Sequence, residues 1–377
     1  MLRHVPRWFL SVFLFLPIAC SKAPSSHQQT EATSHTQPID PKEAARQSLE
    51  AQHVPFTPEE FFRQATTRGH EYAVGLFLQA GMDPNSTDSE RRPVLMRAAA
   101  AGHEGVVRRL IDGRANVNAT DSEGQTALMG AARYPGWEAG YIVELLLAKG
   151  AAADVKDAHQ KSALLLAAET LDCCYDSADV ANGTLISIGH LLKSGADANI
   201  KDTEGKTALM WAAQQGYRGL ILQLLEHGAE VNAKDVNGKT ALMWAAQQDH
   251  VNCAAHLLDH GADVQTKDHA GKTALLFAAE SFPARGNAPQ SELWSGCVSV
   301  MDLLLQRKAD IDAADNTGKT ALMWAAEKGD FHVVHMLLDY GANESAQDRD
   351  GKTVLMRVIE NGDTQIADLL RKAGAKK

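Results

Sequence analysis

The sequence lacks the features by which membrane-spanning and nucleic-acid-binding proteins are usually recognised. It contains no apolar run of about eighteen residues or more, so no helix is expected to span a bilayer. Basic residues are in the minority, with 37 Lys and Arg against 47 Asp and Glu, and the net charge is −10. A chain of this charge repels a phosphate backbone, which excludes nucleic acid as an expected partner.

Motifs for phosphate binding, metal binding and catalysis are incomplete. Gly-Lys-Thr recurs, but a phosphate-binding loop needs another glycine five residues before it. Those positions hold Ile200, Ala233, Thr266, Ala313 and Ala346. The pairs His70-Glu71 and His103-Glu104 lack the second histidine of a zinc-binding helix, and no Ser/His/Asp grouping is visible. We therefore expect no enzyme, no cofactor and no metal.

The first twenty residues have the organisation of an export signal. Arg3 and Arg7 precede an apolar run of eleven residues, which is too short to span a membrane. The run is followed by Ala19 and Cys20, after which the chain becomes polar. The segment resembles a bacterial lipoprotein signal, in which the cysteine is lipidated, although Pro17 stands where that family usually has Leu. The resemblance implies a protein anchored in the bacterial cell envelope through Cys20, facing the periplasm or the cell surface.

An ordinary secretory signal cut near Ala19 is the alternative. Either signal predicts that residues 1–19 are removed and that the cysteines meet an oxidising compartment. Residues 20–56 contain few apolar side chains and are expected to form a disordered tether, with a weak helix near Lys42 to Gln52.

From Thr57 onward one motif recurs, most clearly as DTEGKTALMWAAQQGYRGLILQLLEHGAEVNAK from Asp202. An aspartate marks the start of each later copy. These marker aspartates are Asp88, Asp121, Asp157, Asp202, Asp235, Asp268, Asp315 and Asp348. Four of the seven spacings between them are 33 residues, and the other three are longer. Such a period is typical of a repeat protein, in which each unit must stack on its neighbours to bury its core.

The period and the Thr-Ala-Leu-Met block that begins at Thr207 resemble the ankyrin-repeat family, with Met in place of the family's usual His. The resemblance implies an all-α solenoid of about nine helix-turn-helix repeats joined by short hairpin-like turns. It also implies a monomer that binds a protein partner through a concave groove. The expected repeats span residues 57–87, 88–120, 121–156, 157–201, 202–234, 235–267, 268–314, 315–347 and 348–377.

Elementary rules predict the form of a single unit. Gly205 allows a tight turn, Thr207 caps the first helix, and Leu209, Ala212 and Ala213 share one apolar face. Gly228 is expected to end the second helix in the left-handed conformation. Arg114 and Lys308 occupy the equivalent position in their repeats, where a side chain costs about 1–2 kcal/mol.

Two recurring residue types are candidates for partner binding. A lysine precedes the helix cap in six repeats, and these residues are Lys161, Lys206, Lys239, Lys272, Lys319 and Lys352. They either contact an acidic partner or are solvated residues balanced by the marker aspartates.

On the first helices, aromatic rings recur beside Gln215 and Gln248, and they are Trp211, Trp244, Phe277 and Trp324. A helical wheel directs Trp211 away from its own core, so the rings either form an exposed binding strip or pack over the next repeat.

Insertions between the paired helices provide a further candidate surface. The third repeat carries extra residues near Trp137, and the fourth and seventh carry longer insertions around Cys173, Cys174, Tyr175 and Trp294. Loops on a rigid scaffold often carry function, although neutral drift is the alternative. Cys173 and Cys174 leave open a redox-responsive protein. A resemblance to exported bacterial ankyrin proteins also leaves open an immunity factor or a protector in peroxide defence.

Overall fold

The computed structural model describes residues 39–171, 183–281 and 299–375. Residues 1–40 and Pro41–Lys377 are separate units, and only Ile39 and Asp40 of the first are described. The expected signal and Cys20 lie outside the described residues. The insertion residues Cys173, Cys174, Tyr175 and Trp294 also lie outside them.

Helices account for the regular structure of the described residues. They are α1 (Pro41–Ala51), α2 (Pro58–Arg63), α3 (Glu71–Gln79), α4 (Val94–Ala100), α5 (Glu104–Asp112), α6 (Ala127–Ala132), α7 (Glu138–Ala148), α8 (Ala163–Thr170), α9 (Gly183–Lys193), α10 (Ala208–Gln215), α11 (Arg218–Glu226), α12 (Ala241–Gln247), α13 (Val251–Asp259), α14 (Ala274–Ser281), α15 (Val300–Gln306), α16 (Ala321–Glu327), α17 (Phe331–Asp339), α18 (Val354–Asn361) and α19 (Thr364–Ala373). A π-helical turn, Gln64–Arg68, continues α2. None of these helices is both long and apolar enough to cross a membrane.

After α1, the described helices follow one another as nine packed pairs, from α2 and its π-helical turn with α3 to α18 with α19. The first helices of the pairs pack side by side from α4 to α18, and we call this line of helices the first-helix row. The second helices form a parallel row, in which α3 to α15 pack successively and α17 packs on α19. The described residues contain no strand, only isolated bridges in three turns, such as Thr120 with Thr126. The expected all-α solenoid is confirmed.

Each repeat folds for the local reasons that its sequence indicates. In the fifth repeat the Thr207 side chain accepts a hydrogen bond from the Met210 amide and caps α10. Leu209 is 1% exposed, Ala212 is completely buried, and Leu224 on α11 is also completely buried. Because these apolar faces are covered by the neighbouring repeats, the core is continuous along the array.

The segment that was expected to be a tether contains a docked helix. In α1, Ala45 is 2% exposed and Leu49 is completely buried, because the helix packs on α3 of the first repeat. This segment was expected to bury too little surface to fold alone. It folds because it covers a face of the first repeat that no other repeat covers. The compact unit accordingly begins at Pro41, whereas the sequence placed the start of the array at Thr57. Helix α1 serves as an N-terminal cap.

Two repeats end their second helix without glycine, as expected. Arg114 adopts φ of 69° and Lys308 adopts φ of 64°. We expect Arg114→Gly and Lys308→Gly each to raise the free energy of unfolding by up to about 1 kcal/mol, since relief of left-handed strain exceeds the entropy cost of glycine. Urea denaturation monitored by circular dichroism measures the change.

The matched control for this prediction is the reverse substitution in an equivalent turn. Gly228 adopts φ of 82°, and a Cβ atom added there would meet nothing within 4 Å. Gly228→Ala therefore introduces only backbone strain and should cost about 1–2 kcal/mol. Equal stability of the parent, the glycine variants and Gly228→Ala would contradict the assignment of strain to these turns.

Candidate functional site

The candidate site is built on the turns that precede the first helices. In the fifth repeat, Asp202 is 7% exposed, and its Oδ1 accepts hydrogen bonds from the amides of Glu204 and Lys206, each at 2.9 Å. The same pair of bonds recurs at the other marker aspartates, for example from Asn237 and Lys239 to Asp235. The marker aspartate therefore shapes the turn that positions each lysine.

One marker aspartate also holds an aromatic ring of the following helix. Asp315 Oδ2 accepts a hydrogen bond of 3.2 Å from the indole nitrogen of Trp324. Burial works to raise the pKa of Asp315, but hydrogen bonds from Thr317, the Lys319 amide and Trp324 outweigh burial and hold that pKa below its ordinary value. The carboxylate is thus kept ionised where it fixes both the turn and the ring.

The lysines and the aromatic rings form one alternating stack along the first-helix row, which we call the lysine–aromatic ladder. Lys206 Nζ lies 4.4 Å from the ring centroid of Trp211 in its own repeat and 4.5 Å from that of Trp244 in the next. Lys239 Nζ lies 4.3 Å from the centroids of both Trp244 and Phe277. The ammonium groups therefore connect rings of successive repeats, each pair contributing about 0.5–2 kcal/mol.

The ladder runs through the fourth to eighth repeats. Lys161 contacts Trp211 at its beginning, and Lys272 lies between Phe277 and Trp324. Lys319 lies 4.4 Å from the Trp324 ring. In the ninth repeat Arg357 takes the aromatic position and pairs with the carboxylates of Asp348 and Glu327, which ends the stack.

The expectation of an exposed aromatic strip is wrong for Phe277, which is only 4% exposed. Trp211, Trp244 and Trp324 are partly buried and keep some surface open to solvent. The helical wheel did not show that Phe277 belongs to the buried core cluster and that the three tryptophans pack against it. It could not show that lysines of two repeats enclose them, so the packing interpretation describes Phe277 better than the binding interpretation does.

The lysines also differ from their expected state. Lys206 is 9% exposed, so it is not a freely solvated residue of the turn. Burial lowers the pKa of Lys239, and the attraction of Asp235, Asp268 and Glu280 does not fully compensate. The side chains of Lys206, Lys272 and Lys319 are only 11%, 17% and 18% exposed, so these lysines are structural members of the stack.

An acceptor for five of the six lysines, all except Lys206, is a feature that the sequence analysis missed. Eight residues after the lysine, at the end of the first helix, a side chain returns to the ammonium group. Lys272 Nζ donates to Glu280 at 2.6 Å, and Lys319 Nζ donates to Glu327 at 2.7 Å. Aligned repeats would have shown this second column, which consists of Glu169, Gln214, Gln247, Glu280, Glu327 and Glu360.

The remaining expected residues lie near the same row or in the core. Gln215 is partly buried and Gln248 is exposed, one position beyond the acceptor column. Cys253 lies in the core of α13 at 1% exposure, and burial raises the pKa of its thiol to about 11. A thiol in this state is a poor nucleophile at neutral pH, so Cys253 is a packing residue.

Within the described ranges, no group of three or more His, Cys, Asp or Glu side chains could hold a metal ion. A family model for ankyrin repeats, built from three copies of the unit, matches residues 62–157, 177–268, 236–286 and 292–377, which make up most of the chain. The chain belongs to the ankyrin-repeat family. Proteins built from ankyrin repeats are typically interaction scaffolds without catalytic activity. Comparison with curated proteins finds no match for this ankyrin chain.

Proposed function

We propose that this chain is an exported, lipid-anchored ankyrin scaffold that binds a protein partner through its first-helix row. The observation that carries the proposal is the lysine–aromatic ladder, which connects the rings of successive repeats along this row. The partly exposed edges of Trp211, Trp244 and Trp324 lie along it. Tryptophan edges held in place lose little entropy on binding and are frequent centres of protein interfaces.

Polar side chains beside the ladder complete the binding face. Gln215 and Gln248 follow the ladder in the two central repeats, and exposed Lys328 takes the same position in the eighth. These side chains vary from repeat to repeat on a constant backbone. Such variation on an unchanged scaffold is how a repeat surface acquires specificity for one partner.

The binding face can be tested with substitutions that leave the stack intact. We expect the double variant Gln215→Arg, Gln248→Arg to lose the partner in pull-downs from envelope extract, because two bulky charges would stand on the proposed contact surface. Thermal unfolding should change little, since substitutions at such positions usually stay within about 0.5 kcal/mol. The variant Asn252→Arg, Gln365→Arg places the same charges on exposed positions of the second-helix row. If the control variant loses the partner, or if both variants keep it, the interface lies elsewhere.

Export and anchoring are supported by the sequence of the first twenty residues. Arg3, Arg7, the short apolar run and Cys20 match the order of parts in a lipoprotein signal. More than one acyl chain would make the anchorage stable, which a single chain would not. The tether would then hold the ankyrin array near the membrane surface.

Lipidation is tested by replacing the acylated residue. Cys20→Ala should abolish labelling by an alkyne fatty-acid probe and leave the protein unprocessed or freely released on fractionation. Cys253→Ala is the control, since Cys253 is buried in the core and should not affect labelling. Equal labelling of Cys20→Ala and the parent would exclude the lipid anchor. It would not bear on the binding face, which the pull-down tests.

A further inference from the structure

The acceptor column divides the lysines of the first-helix row into two groups. In the fourth, seventh, eighth and ninth repeats the lysine pairs with a glutamate, namely Glu169, Glu280, Glu327 and Glu360. In the fifth and sixth repeats the same position holds Gln214 and Gln247. An amide can accept a hydrogen bond but cannot neutralise an ammonium group. The lysines of the two central repeats therefore lack the glutamate partner that the lysines of those four repeats have.

The central lysines lack an equivalent carboxylate from elsewhere. Lys206 Nζ lies 3.4 Å from Glu204, whose side chain is 67% exposed and so screened by solvent. Lys239 donates to Gln247 Oε1 at 3.0 Å and forms no ion pair among the described residues, although Asp235, Asp268 and Glu280 attract it from farther away. The aspartate of its own turn, Asp235, already accepts two amide hydrogen bonds through Oδ1. A carboxylate of a partner protein could therefore pair with Lys206 and Lys239, which lack the glutamate partner found in the other four repeats.

The amides add hydrogen-bond donors beside these charges. Because Gln247 uses its oxygen to accept from Lys239, its amide nitrogen can donate to a ligand. Gln214 Oε1 is buried without a partner among the described residues. A carboxylate cannot satisfy this oxygen, because both are acceptors, so Gln214 can contribute to a carboxylate site only through its amide nitrogen. In each central repeat, the ammonium group and the amide nitrogen beside it form the kind of donor pair that binds a carboxylate with charge-assisted hydrogen bonds.

We propose that Lys206 with Gln214, and Lys239 with Gln247, form two successive carboxylate-binding sites in the central repeats, which together recognise an acidic segment of the partner protein. This inference rests on the proposed function and identifies the partner chemistry of the same face. Trp211 contacts Lys206 and Trp244 lies between the two lysines, so these rings would cover the methylene groups of a bound Glu or Asp. Their rings also reduce access of water, which strengthens the attraction between ligand and lysines.

The test uses two glutamine-to-glutamate substitutions that copy the other repeats. Gln214→Glu, Gln247→Glu gives the central lysines the acceptor found in four neighbouring repeats, so folding should be preserved or improved. Asn252→Asp, Gln365→Glu makes the same change in net charge at exposed positions of the second-helix row. The probe is a random twelve-residue peptide library displayed on phage, selected on the parent chain. Enriched peptides are then measured by fluorescence anisotropy against all three proteins.

We expect the parent to enrich peptides with neighbouring acidic residues, whose binding weakens as salt is raised from roughly 0.05 to 0.5 M. Gln214→Glu, Gln247→Glu should weaken that binding by about tenfold or more, while the charge control changes it little. Enrichment of basic or uncharged peptides, equal binding by both double variants, or no enrichment would overturn the carboxylate sites. In each of those cases the pull-down with Gln215→Arg, Gln248→Arg still tests the scaffold function separately. Failure of the carboxylate proposal can therefore be distinguished from failure of the proposed function.

Discussion

Replacing Phe277 by alanine should destabilise the array by about 3–5 kcal/mol, the range for truncating a buried aromatic side chain. Phe277 is 4% exposed, and its ring separates the ammonium groups of Lys239 and Lys272. Its removal would leave a cavity. It would also leave two ammonium groups facing each other without the aromatic ring that stabilised both. Denaturation in urea, followed by circular dichroism, measures the loss.

Two further substitutions separate these effects. Phe277→Leu keeps most of the side-chain volume, so the change in packing should cost about 1.5 kcal/mol or less. Any further loss of stability reports the contribution of the aromatic ring. Phe331→Ala removes the same ring from a position on α17 that is 37% exposed, and it should cost much less than Phe277→Ala. Similar destabilisation by Phe277→Ala and Phe331→Ala would show that the ladder does not support the fold.

The second large effect is expected at Leu224, where alanine should cost about 2–5 kcal/mol. Leu224 on α11 is completely buried in the core that connects neighbouring repeats. Because a repeat is stabilised mainly by its interfaces with its neighbours, a central defect should also reduce the cooperativity of unfolding. A lower slope of the urea transition, together with a lower midpoint, would report this.

The control for Leu224 is an apolar side chain of the same region that lies in water. Val236, in the turn of the following repeat, is 57% exposed. Val236→Ala should stay within about 0.5 kcal/mol of the parent. If Leu224→Ala were as harmless, the stacking of α11 between its neighbours would be incorrect.

Much of the fold could be predicted because its determinants are local. The turn at Asp202, the cap at Thr207 and the apolar face that includes Leu209 are all set within a few residues. The left-handed positions Arg114 and Lys308 could be predicted for the same reason, since backbone sterics depend on one residue and its position in the turn. Repetition then confirmed each local pattern several times in one chain.

The candidate site could be predicted only in part. The lysines and aromatic residues were recognised as two separate series, and the wheel gave the direction of each ring relative to its own helix. Lys206 and Trp244 belong to different repeats, and their contact depends on how far one repeat is shifted and rotated against the next. A pattern within a single repeat does not contain that displacement.

The sequence by itself determined the repeat architecture, the helix caps, the strained turns and the acidic character of the chain, because each follows from short-range sterics, periodicity or composition. Only the tertiary structure decided that lysines and rings alternate, that Phe277 is buried and that α1 covers the first repeat. It also decided that Gln214 and Gln247 occupy the place where other repeats neutralise a lysine. These properties arise where two or more units meet, and burial and charge compensation exist only once the units are stacked.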